Sequence, residues 1–443
     1  MTKYRMITGV MVFLFTLSLQ AQQTIKGTFS PAGDYTWLIA YRLTPGSQTY
    51  VADTAIKKGE FTMQLPENAL PGTYRLVYAV PQDEFYFDIL YNGKEDTTFT
   101  FSEQAGLTFL ASEENTTLKD YFWEVQDAER KVVNFYRARK NKEEEFLLLV
   151  NNLGDIQSSY EEKSLGLLCH HFIKANKTYL PKNLGAIETY VKQRKEHYFD
   201  NLDFQDPVLL ASGFLNEKVA NYVFTALPLG QLSKTAQERE MQNNIDEVAN
   251  QLQGVDEKYI LDLYYKLWQQ STANGYNSTA DLLYHSHLKD LASKMDNTAL
   301  IDQITLHNRT RRGSRAPEVV WENTGKTKKL SELKGAEYYV LVFWSSTCSH
   351  CLNELPKLQQ GLADNNRSKV LAIALEDDEV TWKLEKERLS GFEHALALGK
   401  WDSEYAKLYG IQQTPTYFIL DKDKEILGKP SSYDEVLSFL EGH

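Results

Sequence analysis

Only three cysteines occur in this 443-residue sequence: Cys169, Cys348 and Cys351. A chain so short of cysteine does not use disulfides as scaffolding, even in an oxidising compartment. A second cysteine pair is missing, and the one histidine close to Cys348 and Cys351, His350, lies between them. A four-ligand zinc site therefore has no obvious donors, and no metal or other cofactor is expected. Excess positive charge is missing too. With 48 Lys and Arg against 60 Asp and Glu, the net charge is −12, which argues against nucleic acid or an anionic membrane surface as the main partner. Residues 24–110 hold no histidine and only scattered charges, so no catalytic cluster is read there.

The apolar run Ile7–Leu19 is too short to span a bilayer comfortably. Lys3 and Arg5 precede it and the small Ala21 follows, in the order of a cleaved secretory signal. Residues 1–21 are thus expected to be a signal peptide. The mature chain should begin near Gln22, be soluble outside the cytoplasm and carry no membrane span. With no cysteine before Cys169, a lipid-modified cysteine at the cleavage point is not expected.

Apolar residues make up 42% of the chain, enough to bury real cores, and the length calls for two or three domains. Three textures follow one another. In residues 22–112, TWLIAYRL, TYRLVYAV and FYFDILY are rich in β-branched and aromatic residues, which predicts a small antiparallel sheet or sandwich. Asn92-Gly93, between FYFDILY and TTFTF, is a hairpin signal, and KKGE at 57–60 is a second turn. In residues 113–310 the period changes. Leu118, Tyr121, Phe122, Val125, Ala128 and Val132 mark one helix face, and Ile260, Leu263, Tyr264, Leu267 and Trp268 mark another. This predicts an all-α middle domain, an irregular bundle. Cys169, in LGLLCHHFI, reads as a buried small hydrophobe, and His170 and His171 project to different helix faces. The basic segment NRTRRGSRAP, 308–317, reads as a linker. Beyond it, in residues 311–443, YYVLVF, KVLAIAL, HALAL and TYFIL alternate with helical segments, predicting an α/β domain with a central sheet.

The chemistry gathers at FWSSTCSHCLNELP, residues 343–356. As a structural staple, a disulfide across two residues would close a tiny loop and remove little unfolded-state entropy. A redox pair fits better. Cys348 falls where a strand ends and a helix begins, and the unpaired N–H groups and positive dipole end of a helix N-terminus stabilise a thiolate. A depressed thiol pKa gives a nucleophile at neutral pH. One turn on, Cys351 can reach back to resolve a mixed disulfide.

Residues 315–443 resemble a thioredoxin-fold domain, most similar to the TlpA-like thiol–disulfide oxidoreductases of bacterial envelopes. The resemblance rests on Ala316-Pro317, on FWSSTCSHC, on Glu354 and Pro356 in the subgroup's C-x-x-C-x-x-E-x-P extension, and on Thr414-Pro415 before TYFILD. It covers the last third of the chain. The front and middle resemble modules that precede such domains in secreted proteins of Gram-negative bacteria. The resemblance implies a redox-active Cys348–Cys351 disulfide and a cis Pro415 that presents the Thr414 backbone to a bound peptide strand. It also implies a buried Glu354 near Cys351 that modulates thiol pKa and handles a proton, Trp344 shielding the disulfide on the substrate side, and a helix kinked at Pro356. Two departures stand out. Lys424, in the turn DKDKEI, occupies a usual glycine position, and Ser349-His350 replaces a dipeptide that most relatives end in Pro. A histidine before the second cysteine is similar to strongly oxidising DsbA-like centres. A cationic His350 ring would stabilise the Cys348 thiolate and make the pair more oxidising, against which an ionised Glu354 would push.

The expected function is an envelope protein-disulfide reductase, periplasmic in a Gram-negative bacterium. Its partners would be protein thiols and disulfides and an unidentified redox partner. One alternative is a binding or scaffold protein whose thioredoxin domain is regulatory. The other is a thiol peroxidase, but the peroxiredoxin pattern P-x-x-x-T-x-x-C meets Leu341 and Ser345 where it requires Pro and Thr.

Overall fold

The computed structural model describes residues 23–323 and 325–443. The expected signal peptide, residues 1–21, lies outside the described residues. The chain divides into two compact units, one ending at Leu291 and one running from Ala292 to His443.

In the first unit the described residues form eight strands: β1 Thr24–Ser30, β2 Trp37–Thr44, β3 Ser47–Ala55, β4 Glu60–Gln64, β5 Gly72–Val77, β6 Tyr86–Tyr91, β7 Thr97–Ser102 and β8 Gly106–Ala111. They make two four-stranded sheets, ordered β4-β1-β7-β8 and β3-β2-β5-β6. Strand residues alternate in and out, so one face of each sheet is apolar. Ile25, Phe61, Met63 and Phe99 from the first sheet share one core with Leu38, Tyr74, Leu76 and Ile89 from the second. This is the β-rich domain in its sandwich form.

Two expectations change here. The sheets are not wholly antiparallel, because β1 and β7 pair in parallel. Nor does Asn92-Gly93 close a hairpin, since β6 pairs with β5 and β7 pairs with β1 and β8. The turn residues do their local work: Gly93 has φ +71, and the Asn92 side chain accepts from the N–H groups of Lys94 and Glu95 at 2.9 and 3.2 Å. The turn, however, carries the chain from one sheet to the other.

Helices follow, from Glu113–Arg137 to Asn277–Leu283. On the first of them Tyr121, Val125, Ala128 and Val132 are buried, whereas Phe122 is 36% exposed. Ser112 caps its start by accepting from the Asn115 N–H, and Asn115 pairs in turn with the Leu90 backbone at 2.8 and 2.7 Å. Cys169 is fully buried, with its N–H on Glu114 at 2.9 Å. His170 meets Ser164 and His171 meets Asp206, so the neighbouring rings serve separate partners.

The second unit carries β9 Val320–Asn323, β10 Lys326–Lys329, β11 Tyr338–Trp344, β12 Ser368–Glu376, β13 Glu393–Leu398, β14 Thr416–Leu420 and β15 Ile426–Gly428. Its central sheet has the order β13-β12-β11-β14-β15. β11, β12 and β13 run parallel, and β14 and β15 are antiparallel to their neighbours. Both faces are covered, which is why β11 reads as an unbroken apolar run. Tyr339, Leu341 and Phe343 enter the core on one face. Val340, Val342 and Trp344 enter the core on the other, beside Cys351 and Leu355.

Residues 308–317 are not a free linker, and the expected boundary at 310/311 is displaced. The helix Thr298–Thr310 lies in the second unit, with Arg309 donating to the Leu408 carbonyl and Lys429 to the Thr310 hydroxyl. After it, Gly313 N–H donates to the Ile426 carbonyl, Ile426 N–H to Ser314, and Ala316 N–H to Lys424, each at 2.8 Å. The local composition looked solvated, but β15 offers unpaired backbone groups and the segment satisfies them.

Candidate active site: the Cys348 and Cys351 thiols

Cys348 stands at the carboxyl end of β11, as the N-cap of the helix Ser349–Gly361. Its φ of −89° and ψ of 109° are extended, and its sulfur takes the place of a capping oxygen by accepting from the Cys351 N–H at 3.2 Å. The thiol also reaches the Thr414 carbonyl at 3.4 Å. Cys348 is half-buried and Cys351 is fully buried, and both are free thiols in this structure.

Their environments separate them. Burial pushes the Cys348 thiol up. Hydrogen bonds from the Cys351 side chain and backbone, from Thr414 and from the His350 backbone N–H outweigh it and hold the thiol below its usual range. Burial pushes the Cys351 thiol up to about 12, helped by its bond to Cys348 and opposed by the Ser345 N–H and Thr414. One sulfur is therefore accessible and acidic, and the other is enclosed and held as a thiol.

Thr414-Pro415 is cis, in the loop that leads into β14. Glu354, 7% exposed, lies one turn beyond Cys351 on the same helix. The Tyr417 hydroxyl donates to its Oε2 at 2.8 Å. Burial, then Glu354, then the two sulfurs push the Tyr417 phenol well above its usual range. Pro356 sits inside this helix and cannot donate to the Leu352 carbonyl.

Three sequence expectations are corrected by these contacts. The His350 ring does not stand against Cys348: its Nε2 lies 2.8 Å from Glu354 Oε1. Residues four apart are neighbours on a helix face, whereas Cys348 is the cap below that face. Trp344 is not on the substrate side. Strand alternation turns it into the core with Val340 and Val342, and none of it is exposed. Lys424 does not disturb its turn. It adopts the glycine-like φ of +66°, with its ammonium 3.7 Å from the Tyr339 ring centroid and donating to the Lys422 carbonyl; a charge over an aromatic face offsets part of the backbone strain.

Two contributors were missed. Tyr417 reads in sequence as an ordinary strand aromatic. Glu376 closes KVLAIALE and reads as a solvated strand end, yet it is 3% exposed. It accepts from the Ser346 N–H and, at 3.2 Å, from the Ser345 hydroxyl. Ser345 in turn offers its carbonyl to the Cys348 N–H at 3.1 Å. Glu376 thus ties down the turn on which the dithiol rests, and no local spacing signals it.

The second unit is similar to known proteins. Residues 312–428 match the AhpC/TSA family. The second unit is a thioredoxin-like α/β domain, similar to that family over these residues. Over 117 residues the chain is 30% identical to the thiol-disulfide oxidoreductase ResA of Bacillus thuringiensis subsp. konkukian (strain 97-27), a match covering 26% of this chain and 66% of that protein. The chain thus spans just under two thirds of the length of this curated relative. A solved thioredoxin-like protein from Bacteroides caccae ATCC 43185 is 17% identical, with a TM-score of 0.38, over 61% of this chain and 99% of that one. A domain of a possible thiol-disulfide isomerase from Cytophaga hutchinsonii ATCC 33406 is 28% identical, with a TM-score of 0.27, over 30% of this chain and 92% of its own. In the thioredoxin-like domain the dithiol, Glu354 and Thr414-Pro415 come together, while Trp344 supports them from the core.

Proposed function

We propose that the protein is a thiol–disulfide oxidoreductase of the cell envelope, reducing disulfides on protein partners. The observation that carries this reading is the asymmetry of the dithiol. Cys348 is exposed enough to attack and has the lowered pKa, and Cys351 is enclosed with the raised one. Cys348 attacks a partner disulfide, the partner strand pairs with the Thr414 backbone, and Cys351 resolves the mixed disulfide to leave a Cys348–Cys351 disulfide. Glu354 takes up the proton of Cys351. The basic, apolar, small-residue order of residues 1–21 supports export to a Gram-negative periplasm. Among the described residues, no helix is long and apolar enough to cross a membrane.

Insulin reduction by the chain beginning at Gln22, compared with its Cys348→Ala and Cys351→Ala variants, tests the reading. Both variants should lose turnover, and Cys351→Ala alone should accumulate reductant-sensitive adducts with envelope proteins. Adducts on Cys348→Ala instead would reverse the roles, and an inactive parent would remove the reading. A second reading, that the first unit binds a ligand and the dithiol regulates it, is favoured by an open cleft of about 910 Å3 in that unit, lined by Phe199, Tyr222 and Leu227 with Lys192 and Lys195.

A further inference from the structure

We propose that the His350 ring is the exit of a proton path that serves Cys351 through Glu354. The inference rests on the reductase reading above. It starts from a problem of access: Cys351 has no exposed surface, yet it must lose a proton before it can attack. Glu354, one turn along the same helix, is 7% exposed, so a proton received there is still inside the protein. The side chain of His350 is 66% exposed, and its Nε2 lies 2.8 Å from Glu354 Oε1. The three residues therefore form a graded series from interior to solvent on one helix, at spacings that place them as neighbours.

The other oxygen of Glu354 is occupied by the Tyr417 hydroxyl from β14, at 2.8 Å. The Tyr433 phenol, at the start of the last helix, also feels the Glu354 charge, and the Lys357 ammonium lies 5.5 Å from the Tyr433 ring centroid. Both phenols are pushed upward in pKa, Tyr417 and Tyr433 alike by burial first. Neither takes a proton from a carboxylic acid at neutral pH, which leaves the imidazole as the group matched to the task.

The steps balance as follows. The Cys348 thiolate breaks the partner S–S bond, forms a Cys348–partner bond and expels one partner thiolate. Cys351 passes its proton to Glu354, and the resulting thiolate attacks Cys348 Sγ. That step forms the Cys348–Cys351 bond and expels the second partner thiolate. Two electrons move from the dithiol to the partner disulfide, which is the oxidant. Glu354 gives its proton to His350 Nε2, and the ring releases one from Nδ1 to water. The His350 ring is paired with Glu354, so it is a positioning residue that acts through Glu354.

The aromatic disulfide dithiobis(nitrobenzoic acid) separates the two steps, because each releases one coloured thiolate. With the full mature chain in its reduced form, the first release reports attack by Cys348 and the second reports resolution by Cys351. In His350→Ala and His350→Gln the second release should slow relative to the first by on the order of a hundredfold near neutral pH, the lower end expected for a proton-transfer group. Added imidazole should restore the ratio in His350→Ala, where the ring has left open space. An unchanged ratio in His350→Ala, or no rescue by imidazole, overturns the relay. A His350→Gln variant that behaves like the parent also overturns it, since glutamine keeps a hydrogen bond to Glu354 but cannot take up and release a proton. A parent without a second release, or a second release that survives in Cys351→Ala, would instead refute the division of roles between the cysteines and leave a different fault.

Discussion

Alkylation of the reduced protein by iodoacetamide should mark one cysteine and spare the other. The thiolate is the reacting species. A rise in the Cys351 pKa from 9.0 to about 12 lowers its thiolate fraction about a thousandfold at any pH below both values, because each tenfold change in proton affinity is one pH unit. Complete burial adds a steric barrier to the same effect. The Cys348 thiol is held below its ordinary 9.0, so at neutral pH it is more ionised than a free cysteine. The sign of the pH dependence follows. The protonated thiol is inert, so the rate rises with pH, and for Cys348 it should level off at lower pH than for the same cysteine in the urea-unfolded chain. Peptide mass spectrometry after timed quenching reads each site separately, and the unfolded chain, in which both cysteines should react alike, is the control. Labelling of Cys351 within about tenfold of Cys348, or a Cys348 midpoint above 9.0, would refute the assignment of attacking and resolving thiols.

Two further outcomes are expected from the surroundings of the dithiol. Glu376→Ala leaves the buried Ser346 N–H without its acceptor and should destabilise the second unit by about 1–3 kcal/mol, read by calorimetry, with Glu376→Gln costing less; an alanine variant as stable as the parent would show that the turn holds without the carboxylate. Trp344→Ala removes a fully buried indole and should cost about 3–5 kcal/mol. If it instead weakens peptide-substrate binding in a unit of unchanged stability, the indole acts at the surface after all.

Local spacing carried much of this protein. The four runs YYVLVF, KVLAIAL, HALAL and TYFIL fall in β11, β12, β13 and β14, because a strand buried on both faces must be apolar at every position. The face of Tyr121, Val125, Ala128 and Val132 is buried as its 3.6-residue period requires. Cys348 is legible as a helix cap because the change from strand to helix pattern happens there. Such features depend on residues within one or two turns of each other.

What the sequence left open is what each local element meets. Asn92-Gly93 specifies a turn but not whether the next strand pairs with the last, and here the chain crosses to the other sheet. The polar segment 308–317 reads as solvated until β15 supplies partners for its backbone. His350 lies within reach of two groups of opposite consequence, the thiolate below it and the carboxylate four residues on. The geometry of the cap, with the Cys348 sulfur already turned to the Cys351 N–H, leaves the ring to Glu354. Glu376 and Tyr417 come from strands flanking β11, 25 or more residues away from the cysteines in the chain. Hydrogen bonds across a sheet edge have no period to read, and only the closure of the sheet brings them to the dithiol.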